Sequence, residues 1–423
     1  MRFQIRPLHC YLVIIAALIL YPIFYGTHVA SSGDTPGYQE AANTILNGYH
    51  QINFRVPVYP LLLIATGSVK EINTSLFFVQ FLLYFLSVWL LVTAMLKSGI
   101  SKAVVLVITL ILVSPLLVKI VYLALTEAVT FSLVNILFAL FVLLKGNYKF
   151  LLLGLLAAIL TLTRPSFQLT GLLLTVLFFF YERNKWRAIM FLVAFATPIV
   201  LFSSFNKARF NFSGITPATG WHLTTKTALF IEDWPDVSMR PLMIRQRNDN
   251  LINKSSHTGS MFVWTLPGKL QDSLHQNYVE VSKYMMKNNL ALIKAQPLSY
   301  VEAVGRSLFQ YTLPNGPSAK DPGIVKALYT LVQFAYVYLA LTLTAVVLVC
   351  VWLFRKRINA VWLYPFLVTA IIIYSNYFVS IAAEVGDARH RAPTEALILI
   401  CIAYALPIVS FCRRAVKSLP ATI

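Results

Sequence analysis

Residues 148–181 read YKFLLLGLLAAILTLTRPSFQLTGLLLTVLFFFY, and the fold turns on how often this stretch crosses a membrane. As one straight helix it would be a rod of roughly 50 Å, at about 1.5 Å per residue, against a hydrocarbon core of about 30 Å. Arg164 and Pro165 stand in its middle. A charge is costly at bilayer depth, and a proline removes a backbone donor and pushes the residue before it out of the helical region. The sequence therefore predicts two short helices joined at Arg164.

Working outward, further apolar runs occupy about 10–29, 74–96, 103–123, 127–144, 188–205, 325–354, 360–380 and 394–412. Each approaches the roughly 20 residues that a bilayer requires. Hydrophobic residues reach 58% and charged residues only 12%, against about 25% charged in an average soluble chain. Mean hydropathy is +0.71. These values exclude a soluble globular protein and define an all-α polytopic membrane protein. A net charge of +19 would suggest nucleic acid in a soluble chain. In a membrane chain it fits loops that face anionic headgroups, and no nucleic-acid partner is expected.

The positive-inside rule sets the topology. With the N-terminus inside, Lys97 and Lys102, Lys145 and Lys149, Arg183, Lys185 and Arg187, Arg355 to Arg357, and Arg413, Arg414 and Lys417 all fall on one side. That requires an even number of crossings between 149 and 182, and so ten transmembrane helices with both termini cytoplasmic. The first apolar run ends in Tyr21 to Tyr25 without a small-residue cleavage site, which predicts an uncleaved helix. Cys10, Cys350, Cys401 and Cys412 lie in or beside apolar runs, so no disulfide framework is expected. Three regions follow: 1–205 with helices one to seven, a large outer loop 206–324, and 325–423 with helices eight to ten.

The first outer loop, about 30–73, holds the densest chemistry. Thr35 and Pro36 fit the N-cap and first turn of a helix, and Gly48 fits its stop. Tyr38, Ala41, Ala42, Ile45, Leu46 and Tyr49 recur at helical spacing, as an amphipathic helix on the membrane face would. Residues 57–70 read as a second such helix. Asp34 stands where the first begins, and Glu127 where the fourth span begins; each reads equally as a helix cap or as a catalytic acid. Arg164 can snorkel to headgroups or bind an anion. The run Glu384 to Pro393 contains Asp387, Arg389, His390 and Arg391, which suits either a self-neutralising turn or a phosphate cradle. There is no P-loop and no Gly-rich dinucleotide turn. The seven histidines show no metal-ligand spacing, and no metal or other cofactor is expected.

In order along the chain, Asp34, Tyr38, Gly48 and Arg55-Val56-Pro57-Val58-Tyr59-Pro60, then Glu127, Arg164-Pro165 and Asp387 to Pro393, resemble the motifs of the GT-C superfamily. These are polyprenyl-phosphate-sugar-dependent glycosyltransferases, and the likeness is to the lipid A aminoarabinose transferase and protein O-mannosyltransferase types. It spans 1–205 and about 325–412 and leaves 206–324 unmatched. The resemblance implies a GT-C-like fold with interfacial helices in the first outer loop. It also implies an active site at the outer face of a plasma membrane, as in a bacterial inner membrane. A sugar would pass from a polyprenyl-phosphate donor to a glycan, lipid or protein acceptor, with inversion. Asp34 would be the general base, and Glu127 would orient Asp34 or the acceptor. Arg164, Arg389 and Arg391, with Arg55 behind them, would hold the donor phosphate, and Tyr38, Tyr59, Glu384, Asp387 and His390 would contact substrate. The rivals are an O-antigen polymerase or ligase working through His222 or His257, and a transporter or flippase of lipid-linked saccharide. The latter would place charges at mid-membrane depth.

Overall fold

The computed structural model describes residues 5–254, 263, 265–314, 323–354, 358–384, 386 and 388–417. Arg355 to Arg357, His257 and Asp387 lie outside the described residues. The chain is all-helical. Among the described residues the sole extended pairing is an isolated bridge between Ala30 and Leu123.

The first half runs α1 Pro7–Tyr25, α2 Thr35–Leu46, α3 Val58–Ala65, α4 Thr74–Lys97, α5 Lys102–Leu112, α6 Pro115–Val118, α7 Thr126–Leu143, α8 Tyr148–Thr163, α9 Gln168–Tyr181 and α10 Trp186–Phe210. Among the described residues seven helices are long and apolar enough to cross a membrane, or eight if the bent segment 102–122 counts as one span. This is a multi-pass membrane protein. Helix α7 is its hub: nearly every face is buried, and Thr130 and Ser132 return their hydroxyls to the carbonyls of Thr126 and Ala128. Helices α1 and α10 instead turn Leu12, Ile19, Val200 and Leu201 outward, where lipid is the fitting solvent.

The stretch 148–181 is indeed split. Arg164 is extended (φ −147°, ψ 110°), as the residue before a proline prefers, and α8 and α9 form a hairpin about it, their far ends brought together. At their far ends Arg187 donates to Asn147 at 2.9 Å and to Glu182 at 2.6 Å. Gly154 and Gly171 let this pair lie against α10. A Cβ on Gly154 would sit 2.3 Å from the Phe191 carbonyl oxygen, and one on Gly171 2.3 Å from the Phe195 ring.

The run 103–123, expected as one span, is broken. Pro115 cannot donate a backbone hydrogen bond, and the chain bends by 46° between α5 and the segment that α6 opens. Helix α2 begins one residue earlier than expected, with Asp34 at the N-cap and Thr35 inside. Tyr38, Ala41 and Ala42 are buried as the periodicity predicts, but Leu46 is exposed.

The segment 206–324 is more than a loop. It carries α11 Thr219–His222, α12 Thr224–Thr227, α13 Arg240–Lys254, α14 Leu266–Leu274, α15 Tyr278–Ala295 and α16 Pro297–Thr312. Trp221, Trp234, Leu270, Val281, Met285 and others form a core of their own. Helices α17 Gly323–Phe354, α18 Ala360–Ala383 and α19 Glu395–Lys417 complete the bundle. All four cysteines are free and buried.

Candidate functional site

Backbone pairing builds the site. The Ala30 N–H donates to the Tyr122 carbonyl at 2.8 Å, and the Ala124 N–H donates to Ala30 at 3.0 Å. The Thr35 hydroxyl donates to the Ala124 carbonyl at 2.9 Å. Buried Gln80 holds the same strip, donating to the carbonyls of Val121 (3.1 Å) and Leu123 (3.2 Å). The start of α2 is thus docked on the start of α7, and Asp34 meets Glu127. Arg164 arrives from the α8–α9 turn, and Arg389 from the 3-10 turn Ala388–Thr394 that opens α19.

The charges interlock. Asp34 accepts from Arg55 Nη2 at 2.8 Å and from Arg389 Nη2 at 2.6 Å, one guanidinium on each oxygen. Arg389 also donates from Nε to Glu127 Oε1 at 2.7 Å. Arg164 Nη1 stands 3.7 Å from that same oxygen, too far for a hydrogen bond. Arg55 donates to the Tyr38 hydroxyl at 3.2 Å and lies on the Tyr38 and Phe54 rings. These residues line a cavity of about 340 Å³ at one end of the bundle, and Glu384, His390 and His222 line it too. His390 Nε2 is 3.3 Å from Glu384.

Among the described residues, Glu127 Oε2, on a residue only 4% exposed, and Arg164 Nη1 are buried in this cavity without a hydrogen-bond partner. Leaving such groups unmatched costs about 1–3 kcal/mol each, more when charged. The cavity therefore favours a ligand that brings both an anion and a donor hydrogen. Burial alone would raise the Asp34 carboxyl, but Arg55 and Arg389 outweigh it and hold the group at about 2. Burial pushes His222 down to about 4, so its imidazole is neutral at pH 7. Burial would also raise Glu384, but His390, His222, Arg164 and Lys226 together keep it below the usual range.

Of the residues read from sequence, Asp34, Tyr38, Arg55, Glu127, Arg164, Glu384, Arg389 and His390 meet in this cavity. Two do not. Arg391 is 1% exposed; it donates to Glu395 at 2.8 Å and to the carbonyls of Leu313 (2.9 Å) and Tyr311. Two positions along a tight turn from Arg389, it faces away and ties α16 to α19. Tyr59 is fully buried behind Tyr38, its ring 4.9 Å away, and gives its hydroxyl to Gln80 at 3.1 Å. The capping reading of Asp34 is also displaced: it occupies the N-cap, yet its side chain makes no capping bond. Sequence reasoning gave no cavity role to Thr163, Thr216 or Thr219, and gave His222 one only under the rival reading. The signal for the last two was the Thr219-Gly-Trp-His222 run, short helical turns around a large buried indole. Among the described residues no group of three or more His, Cys, Asp or Glu could hold a metal ion. No protein-family model matches the chain, and none of the curated proteins compared with it does so either.

Proposed function

We propose that the protein is a membrane glycosyltransferase that moves a sugar from a polyprenyl-phosphate donor to an acceptor at the outer leaflet, with inversion. One observation carries this reading. A single cavity joins paired carboxylates to an arginine cluster, and in it, among the described residues, Glu127 Oε2 and Arg164 Nη1 are buried without hydrogen bonds. A phosphate leaving group suits Arg164, and an acceptor hydroxyl suits the carboxylates. The order of the motifs that resemble the GT-C superfamily supports the same assignment. So does the separation of charges. Arg164, Glu127, Glu384 and Arg389 sit where α8, α7, α18 and α19 end or begin at one pole, and Lys149, Glu182 and Arg187 sit at the other. Counting the bent segment and both short helices as crossings gives ten, with the cavity pole outside and the termini in the cytoplasm.

In the reaction the acceptor oxygen attacks the anomeric carbon while the bond from that carbon to the phosphate oxygen breaks. The electron pair leaves on phosphate, and the acceptor proton passes to a carboxylate. Asp34 is the base in this scheme, although both its oxygens are held by arginines in the free protein. An arriving phosphate competes for Arg389 and Arg55, and as they turn to it the Asp34 carboxylate becomes free and more basic. Glu127 keeps Arg389 aligned. The neutral His222 lining the same cavity supports a second reading, the polymerase- or ligase-like one, in which an imidazole takes the proton.

The test uses purified protein in lipid nanodiscs with polyprenyl-phosphate hexose, pentose and aminosugar. Wild type should release polyprenyl phosphate from at least one of them, and Asp34→Asn should be at least about a hundredfold slower. If His222→Gln stops turnover and Asp34→Asn does not, the second reading replaces the first. Release from none of the donors refutes both.

A further inference from the structure

A second cleft, of about 640 Å³, opens beside the reaction cavity between the first outer loop and the helices of 206–324. The size lies within the about 300–1,000 Å³ of ordinary ligand sites. Two neighbouring pairs of residues form the partition. Phe54 lines both spaces while Arg55 lines only the reaction cavity, and Trp221 lines the cleft while His222 lines the cavity. An occupant of the cleft therefore ends one side chain away from the arginines.

The lining selects a chemical class. Gln51, Asn53, Gln271 and Asn277 supply amides, which both donate and accept hydrogen bonds, as hydroxyl groups do. The amides of Asn53 and Asn277 are fixed by their own backbone bonds: Asn53 Oδ1 accepts from Arg55 N at 2.8 Å, and Asn277 Oδ1 from Val279 N at 3.0 Å. Phe54 and Tyr278 add ring surface for the apolar C–H faces of a sugar. No Lys or Arg lines the cleft among the described residues, and Glu40 is the one acid. An anionic lipid headgroup or a phosphorylated ligand would find no Lys or Arg partner among these described lining residues. A neutral, polyhydroxylated chain finds partners throughout.

We propose that this cleft binds a neutral saccharide chain and that this chain is the acceptor. The second half of the proposal rests on the glycosyltransferase reading; the first half does not.

Gly268 provides the test. It lines the cleft in the first turn of α14, and a Cβ added there meets nothing within 4 Å. Gly268→Trp thus fills the cleft without a clash at the backbone, and Gly268→Ala is the control. Saturation-transfer NMR would be run on protein in nanodiscs with neutral gluco-, manno-, galacto- and rhamno-oligosaccharides of three to six units. At least one should bind wild type, Gly268→Ala and Asp34→Asn alike, and bind Gly268→Trp at least tenfold more weakly. Transfer onto that oligosaccharide should fall by the same factor in Gly268→Trp, while release of polyprenyl phosphate to water stays unchanged. If Gly268→Trp folds, as judged by an unaltered thermal midpoint, and binds as well as Gly268→Ala, the cleft assignment is wrong. Binding to none of the panel by wild type also overturns it. Binding without transfer by wild type instead removes the glycosyltransferase reading and leaves the saccharide site standing.

Discussion

Replacing Asp34 by Asn removes one charge and little shape, so its cost can be worked from the structure. The two arginines hold the carboxyl at about 2 against an ordinary 3.8. At 1.36 kcal/mol per decade, that preference for the charged form is worth up to about 2.5 kcal/mol. The figure is an upper bound because the side chain is 22% exposed and partly screened. A domain stable by about 5–15 kcal/mol survives that loss. Because the folded value lies below the unfolded one, the contribution is complete above about pH 4 and is lost only as pH falls through about 2. Wild type should therefore show no loss from this group between pH 7 and 5, while the Asn variant carries the loss at every pH. Turnover is a separate quantity: an amide cannot take the acceptor proton, so transfer should fall at least about a hundredfold. The assay is polyprenyl-phosphate release in nanodiscs at equal protein, with thermal midpoints measured alongside. An Asn variant with wild-type turnover would remove Asp34 from the mechanism, and an unchanged midpoint would remove the double arginine clasp from the energetics.

Other positions make independent predictions. In a cysteine-free background, single cysteines at Lys102 and Lys185 should resist an impermeant thiol reagent applied outside, and those at Asn47 and Asn248 should react; the reverse pattern refutes the orientation. Arg164→Lys should lower turnover about ten- to a hundredfold with little loss of stability, since a point charge cannot reproduce a guanidinium fork. Arg391→Met should instead lower the thermal midpoint, because it strands buried Glu395 at a cost of about 3–5 kcal/mol; a stable Arg391→Met with turnover lost would return Arg391 to the phosphate. Gly154→Leu should force α8 off α10 and cost about 1–3 kcal/mol or more, read as a lower midpoint, whereas Gly268→Ala should cost nothing.

The bundle was legible because an apolar run is a strong signal and a charge at its end is an anomaly. That is why Asp34, Glu127, Arg164 and Arg389 could be picked out singly. Their meeting could not be read, because it depends on Ala30 pairing with Leu123 and on Gln80 clamping the strip between α6 and α7, neither of which has a local signature. Arg389 and Arg391 looked equivalent because sequence does not reveal which side of a tight turn each residue faces. Tyr59 was misplaced for a related reason: a tyrosine on a short helix fits equally a wall or the packing behind it. The bend at Pro115 has a local signal in the proline itself, but the apolar run continues through it and reads as one span. The segment 206–324 was the least readable. Its helices carry apolar side chains outside as well as inside, Leu298, Val301 and Phe309 among the exposed ones, so periodicity does not mark the buried face, and Trp221 and Trp234 are the main hints of a separate core.

The central claim is that this cavity consumes a lipid-phosphate sugar. The most direct measurement is mass spectrometry of lipid-linked sugars and surface glycans from cells with the protein, without it, and with Asp34→Asn in its place. One polyprenyl-phosphate sugar should accumulate, and one glycan residue disappear, in both the deletion and the Asn cells. Identical lipid-linked sugar pools and glycans in all three would contradict the claim.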